Sequence, residues 1–292
     1  MPVKSDLKVE KYVGTGNDFI IIDEQQSLPL EVLKVPRSEI VRKLCHRNFG
    51  VGADGVLFLS RKTEDSFCWD FYNSDGSTAE MCGNATRCVG RWAQKNLGLS
   101  KIQLTTAVGV VRIESSERVV TTHLDYLSLE FQSLAVEVGG RKTVATFVNT
   151  GVPHVVVEVA NMDAIESSEI RDVIKAFRFH PETGSKGTNV TFLRVSPPAP
   201  GSVECALATT TFERGVEGFT LSCGTGVLAA AAAALVKLPN TALRILPTAL
   251  CMVKTPGGEL SVQFGSDWRG ASLTGPADFV YNANVSSEIF SV

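Results

Sequence analysis

Ser222-Cys-Gly-Thr-Gly-Val-Leu-Ala-Ala-Ala-Ala-Ala-Ala-Leu-Val-Lys-Leu238 reads as a tight turn feeding a helix. Alanine is the best helix former and has almost no bulk, so the run Val227 to Leu238 predicts a helix enclosed by sheet on most sides. The same device occurs earlier, where Met81-Cys-Gly-Asn84 opens a second breaker-free stretch, Asn84 to Asn96. Flanking fragments recur in the same order. Val13-Gly-Thr-Gly-Asn-Asp-Phe-Ile-Ile21 is echoed by Val148-Asn-Thr-Gly-Val-Pro-His-Val-Val156 at an offset of 135, and Gly55-Val-Leu-Phe-Leu59 by Asn189-Val-Thr-Phe-Leu193 at 134. Phe71-Tyr-Asn73 precedes Cys82 by the same interval at which Phe212-Glu-Arg214 precedes Cys223, an offset of 141. Thr106-Ala-Val-Gly109 matches Thr255-Pro-Gly-Gly258 at 149. Each match alone is weak, but four in register argue for two halves of one fold related by an approximate twofold axis.

Short β-branched or aromatic segments bounded by Gly, Asn, Asp or Ser surround both helices and predict strands. They are Phe19 to Ile22, Val56 to Leu59, Phe67 to Phe71 and Val110 to Ile113, then Val155 to Val159, Val190 to Val195, Ala206 to Phe212 and Glu259 to Phe264. The expected fold class is α+β, with two pseudo-symmetric domains, each a curved, mainly antiparallel sheet or barrel wrapped round a central helix. The expected boundaries are 1–128 plus 277–292 for the domain carrying Cys82 and 129–276 for the domain carrying Cys223.

A length of 292 residues with 44% hydrophobic content suits two domains, each with its own core. The net charge of -3, with no Lys/Arg cluster interleaved with aromatics, argues against a nucleic-acid partner. Met1 to Tyr12 lacks the apolar core of a signal peptide, and Val227 to Val236 is too short to cross a bilayer. No membrane partner and a cytoplasmic location are therefore expected. Seven cysteines at irregular spacings point to reduced thiols, with Cys45, Cys68, Cys205 and Cys251 read as small buried hydrophobes. His46 beside Cys45 has no ligand-spaced partner, so no metal site is expected.

Cys82 and Cys223 are different in kind. Each stands where a turn feeds a helix, and a helix N-terminus carries partnerless N–H groups and partial positive charge that lower a thiol's pKa and seat a carboxylate. One such cysteine is often merely a cap or a core residue. Two at equivalent positions of a duplicated fold, facing each other across a twofold axis, would approach one carbon from opposite sides. That geometry suits taking a proton from one face and returning one to the other, which is racemisation or epimerisation of an amino-acid α-carbon.

Together with Gly50-Val-Gly-Ala-Asp-Gly55, Asn73-Ser-Asp-Gly76, Gly187-Thr-Asn189 and Glu213-Arg-Gly215, these motifs resemble the diaminopimelate epimerase family over about residues 9 to 276. The resemblance implies a cofactor-independent, two-base interconversion of L,L- and meso-diaminopimelate in lysine and peptidoglycan precursor biosynthesis. It implies no pyridoxal phosphate and no metal, a substrate with two amino-acid head groups, and a homodimer. Cys82 and Cys223 would be the acid–base pair, with Cys82 taking the proton from the L,L-isomer. His154 and Glu213 would set their proton affinity, the plain alternatives being a satisfied core histidine and a surface glutamate. Gly83, Asn84, Gly224 and Thr225 would bind the α-carboxylate, while Asn17, Asn73, Asn189, Glu213 and Arg214 would hold the rest of the substrate. Arg214 offers a fork for a distal carboxylate; its structural alternative is an ion pair with a neighbouring Asp or Glu. Val152 replaces an asparagine common in the family, and Gly218-Phe219 stands where an acid–Thr pair is usual. Both departures bear on the substrate and not on the chemistry. The remaining alternative is a related two-cysteine racemase or epimerase of the same fold acting on another amino acid.

Overall fold

The computed structural model describes residues 6–27, 35–196, 205–237 and 248–290. Leu238, the last residue of the expected alanine helix, and Met1 to Ser5 of the opening stretch lie outside them. Two compact units form, Met1–Thr122 with Gly275–Val292, and His123–Thr274. The first unit thus ends before the Ser128 expected from the sequence and resumes at Gly275 in place of Ala277.

In chain order the elements are β1 (Leu7–Gly14), β2 (Asn17–Asp23), α1 (Arg37–Cys45), β3 (Gly55–Arg61), β4 (Ser66–Asn73), α2 (Gly83–Leu97), β5 (Lys101–Thr106), β6 (Gly109–Ser116) and β7 (Val119–His123). There follow β8 (Phe131–Val138), β9 (Arg141–Asn149), β10 (Pro153–Glu158), α3 (Ser168–Arg178), β11 (Asn189–Ser196), β12 (Cys205–Glu213), β13 (Gly218–Thr220), α4 (Gly224–Lys237), β14 (Cys251–Thr255), β15 (Gly258–Phe264), β16 (Ala271–Pro276) and β17 (Asp278–Val285).

Strand pairing repeats step for step. The first unit runs β17-β1-β2-β3-β4-β5-β6. The second runs β8-β9-β10-β11-β12-β14-β15. Antiparallel pairs dominate. The parallel steps are β2–β3 and β4–β5 in the first unit and β10–β11 and β12–β14 in the second. Parallel neighbours cannot be joined by a tight turn, and each of these steps is crossed by one helix, α1 to α4 in turn. β17 fills in the first unit the place that β8 fills in the second, which is why the chain returns there at its end.

α2 packs against β1, β2, β5, β6 and β17, and α4 against β9, β10, β11, β12, β14 and β15. The alanine run permits this enclosure, since Gly226 to Leu235 are all buried. α2 achieves it at Gly90, where an added Cβ would stand 2.6 Å from Ile113 Cγ2 and 2.7 Å from Val120 Cγ1. The sequence predicts one helix per half, and among the described residues each unit has two α-helices. α1 lies on the opposite sheet face, where Ile40, Val41 and Leu44 join Ile20, Ile22, Val56 and Phe58 in a buried cluster. α3 does the same in the second unit with Val173, Ile174 and Phe177. Covering both faces explains why β2 and β3 read as continuous apolar runs without alternation.

All seven cysteines are free thiols. Cys45, Cys205 and Cys251 are buried, but Cys68 is only half-buried and departs from the expectation, because it alternates along β4 with the inward-facing Phe67 and Trp69. No helix among the described residues is long and apolar enough to cross a membrane.

Candidate active site

In the first unit β4 ends at Asn73 and the chain enters α2 through Cys82, the extended residue at its N-cap. The first helical bond runs from Thr86 N–H to Cys82 O at 3.0 Å, so the N–H groups of Gly83 and Asn84 fall in the turn that a helix leaves without internal partners. The half-buried Cys82 thiol lies 3.7 Å from Asn17 Oδ1, which also accepts from Asn84 Nδ2 at 3.3 Å. Asn17 in turn donates to Asp54 Oδ2 at 2.5 Å. Arg87, one turn into α2, is fully buried. It donates to Asn84 Oδ1 at 2.7 Å, Thr15 Oγ1 at 2.9 Å, Gly83 O at 3.1 Å and Pro276 O at 3.4 Å, all of them uncharged acceptors. Burial pushes its pKa down to about 10, and the guanidinium still stays charged at neutral pH. Asn73 is exposed, with its amide turned onto Ser77 Oγ at 3.1 Å, and the described contacts do not join it to Cys82.

In the second unit strand register builds a polar chain beneath the cysteine. His154 and Asn189 are partners across β10 and β11, and Thr191 and Thr211 across β11 and β12. The backbone N–H of Arg214 donates to Asn189 Oδ1 at 2.7 Å, which turns the Asn189 amide nitrogen toward His154 Nε2 at 3.3 Å. Nε2 is therefore the acceptor and Nδ1 carries the proton, donated to Thr191 Oγ1 at 2.9 Å. Thr191 Oγ1 also shares a hydrogen bond with Thr211 Oγ1 at 3.1 Å. On the other side Thr225 Oγ1 lies 3.0 Å from His154 Nε2 and 3.4 Å from Cys223 Sγ. With Cys223 as a thiol, Thr225 accepts from sulfur and donates to the imidazole. With Cys223 as a thiolate, the Thr225 proton can swing to sulfur while Asn189 still satisfies Nε2. Thr225 is thus placed to follow the proton on Cys223 in either state.

His154 is fully buried, and desolvation first, then the Arg214 charge, pulls its pKa down to about 3. The imidazole should remain the neutral Nδ1–H form from about pH 5 to 9, with no titration in its ¹⁵N chemical shifts. A protonation midpoint near the unperturbed value of about 6.5 would contradict this chain. Because the folded value lies below the unfolded one, the contribution to stability is complete above about pH 6.5 and falls by about 1.4 kcal/mol per pH unit toward pH 3.

Among the remaining residues singled out in the sequence, Gly224 is buried at the start of α4 and Glu213, at the end of β12, accepts from Thr220 Oγ1. Half-buried Arg214 donates through Nη1 to Gly187 O at 3.0 Å. The structural alternative for Arg214 named a carboxylate partner, and no described Asp or Glu pairs with it. Thr191 and Thr211 were missed by the sequence reading. The run Thr209-Thr-Thr211 on a buried strand was the available signal, since three hydroxyls there require partners. Arg87 was missed as well, because its helical neighbours Gly83, Asn84, Gly90 and Arg91 form no apolar face against which a buried charge would stand out.

A family model described as "Diaminopimelate epimerase" matches residues 9–123 and 146–280. A diaminopimelate epimerase of Aquifex aeolicus is 37% identical over 289 residues, covering 96% of this chain and 98% of the relative. One from a Hydrogenobaculum species is 38% identical, covering 97% and 99%. Among solved structures, a hydroxyproline epimerase from Agrobacterium vitis aligns with a TM-score of 0.64 at 16% identity, covering 98% of this chain and 94% of that one. A phenazine biosynthesis protein of the PhzF family from Bacillus anthracis aligns with a TM-score of 0.69 at 14% identity, covering 96% and 98%. These two likenesses concern the fold, which is the duplicated sheet-round-helix architecture described above. Near-complete coverage at this identity, with the family match spanning both cysteine turns, places the chain in the diaminopimelate epimerase family.

Proposed function

We propose that the protein interconverts L,L- and meso-diaminopimelate, with Cys82 and Cys223 as the acid and base on opposite faces of one α-carbon and without pyridoxal phosphate or metal. The observation that carries this reading is the repeated cysteine at the head of an enclosed helix, in two units with the same strand pairing, in a chain of this family. The N–H groups of Gly83 and Asn84, and of Gly224 and Thr225, are the donors for the α-carboxylate, aided by the positive end of each helix. Deprotonation follows at the carbon held there. With Cys82 as thiolate and Cys223 as thiol, Cys82 removes hydrogen from the L,L-isomer and Cys223 delivers its own to the other face. Arg214, which has no described carboxylate partner, receives the distal carboxylate, with Asn17, Asn73, Asn189 and Glu213 holding the rest of that head group. Lysine and peptidoglycan precursor synthesis, a cytoplasmic location and a homodimer belong to the same reading.

Reduced protein without added cofactor, incubated with single amino acids in heavy water, should exchange the α-hydrogen of diaminopimelate and not that of proline, hydroxyproline or histidine. Arg214→Lys should lower kcat/KM for diaminopimelate by about 10²-fold with little change in melting temperature, because a point charge cannot replace a bidentate fork. Exchange of another amino acid in preference would move the substrate to a related racemase. Unchanged kcat/KM with a lowered melting temperature would assign Arg214 to the scaffold.

A further inference from the structure

The two cysteine turns are alike in backbone and opposite in electrostatics. Five residues after Cys82, α2 carries Arg87, and five residues after Cys223, α4 carries the buried, apolar Leu228. The strands beneath differ in the reverse sense. His154 and Asn189 are register partners in the second unit, and Phe19 and Gly55 occupy the matching pair in the first. By strand register Thr191 and Thr211 correspond to Leu57 and Phe71, one residue off the sequence match of Phe71 with Phe212, and Phe71 packs edge-on against Phe19 with ring centroids 5.9 Å apart. Cys223 therefore stands over a neutral hydrogen-bond chain. The first unit instead has apolar and aromatic residues at the positions of that chain, and one fully buried guanidinium on the helix that Cys82 heads.

A buried charge needs an opposite charge or it costs stability heavily. No described carboxylate contacts Arg87; its four acceptors are a side-chain amide, a hydroxyl and two backbone carbonyls. Of the thiols on its helix, Cys88 is fully buried and burial drives its pKa far up, so it stays protonated. Cys82 is the half-buried one at the positive end of the helix. We infer that Arg87 is a positioning residue that holds the resting enzyme in one charge state, with Cys82 as thiolate and Cys223 as thiol. A weak opposing contact exists, since Asn17 Oδ1 at 3.7 Å can accept a Cys82 thiol proton. A thiol is a poor donor, and a full charge in a desolvated site outweighs it. The inference rests on the two-cysteine reading of the site, and it adds that the two thiols are unequal before substrate arrives.

The test is the pH dependence of iodoacetamide alkylation of Cys82 and Cys223 in the substrate-free protein, read peptide by peptide by mass spectrometry. The Cys82 profile should lie below that of Cys223 by about one pH unit or more. Arg87→Leu, which copies the second unit, should raise the Cys82 midpoint by a similar amount and leave Cys223 in place. Arg87→Lys, keeping the charge, should restore most of the shift, a recovery that a merely structural role would not produce. Equal midpoints in the native protein overturn the inference even if neither variant folds. So does an unmoved Cys82 midpoint in a folded Arg87→Leu protein. Epimerisation measured in parallel separates the two readings: unequal thiols without turnover sink the function alone, and turnover with equal thiols sinks this inference alone.

Discussion

Cys82→Ala and Cys223→Ala each lower epimerisation of diaminopimelate by about 10³-fold or more, within the range for loss of a positioned acid or base. On the two-base proposal each variant keeps one thiol on one face of the substrate carbon. Cys223→Ala retains Cys82 and should wash deuterium from heavy water into the L,L-isomer at the α-carbon, while leaving the meso-isomer unlabelled at its D-centre. Cys82→Ala should show the complementary pattern. On the two-base proposal, hydrogen in the unaltered enzyme is taken by one sulfur and supplied by the other, so meso-product formed from the L,L-isomer should carry solvent deuterium from the first turnover. Early recovered L,L-isomer stays largely unlabelled. A single base shuttling one hydrogen between faces would return some of the original hydrogen to product. Labelling of the same isomer by both variants, or near-native turnover by either, would remove the two-base mechanism.

The duplicated fold was legible because its signals are local and occur twice. Glycine turns, apolar strands and the two Cys-Gly helix starts keep their order in both halves, so weak matches reinforce one another. The outer helices were harder to read. α1 and α3 are only nine and eleven residues long and sit in charged stretches, although Ser167 caps α3 by accepting from Ile170 N–H at 3.3 Å, and Ile170, Val173, Ile174 and Phe177 form its apolar stripe. What local reading could not supply were partnerships across strands. Nothing near Thr191 or Thr211 in the chain indicates that they meet each other or that Thr191 holds His154 Nδ1; β10, β11 and β12 align them. Arg87 is a similar case, since its partner Thr15 lies on the turn between β1 and β2, far away in sequence. The cysteines announce themselves by motif. The groups proposed to tune them become visible only through the sheet.

Gly226→Ala tests how tightly that sheet positions the second cysteine. The first turn of α4 presses on β12 at this residue, where an added Cβ would stand 2.2 Å from Thr211 Oγ1, 3.3 Å from Thr211 Cβ and 3.3 Å from Cys223 Cβ. Thr211 is buried and its hydroxyl is engaged by Thr191, so it cannot simply rotate away. The start of the helix must move instead, carrying Thr225 and Cys223 with it. Overpacking of this kind costs about 1–3 kcal/mol of stability. Displacement of a reacting group by even an ångström can cost about 10²-fold in rate, so kcat/KM should fall by at least that much while the protein still folds. The first unit supplies the control. Its matching residue is Ala85, and Phe71 takes the register position that Thr211 has in the second unit, so Ala85→Gly should cost about 1 kcal/mol and little activity. Adding Thr211→Ala to Gly226→Ala removes the oxygen at 2.2 Å and should recover part of the lost kcat/KM, though not the hydrogen bond to Thr191. If Gly226→Ala alone keeps native kcat/KM, the contact between α4 and Thr211 does not position Cys223, and the polar chain beneath it carries no proton-handling role.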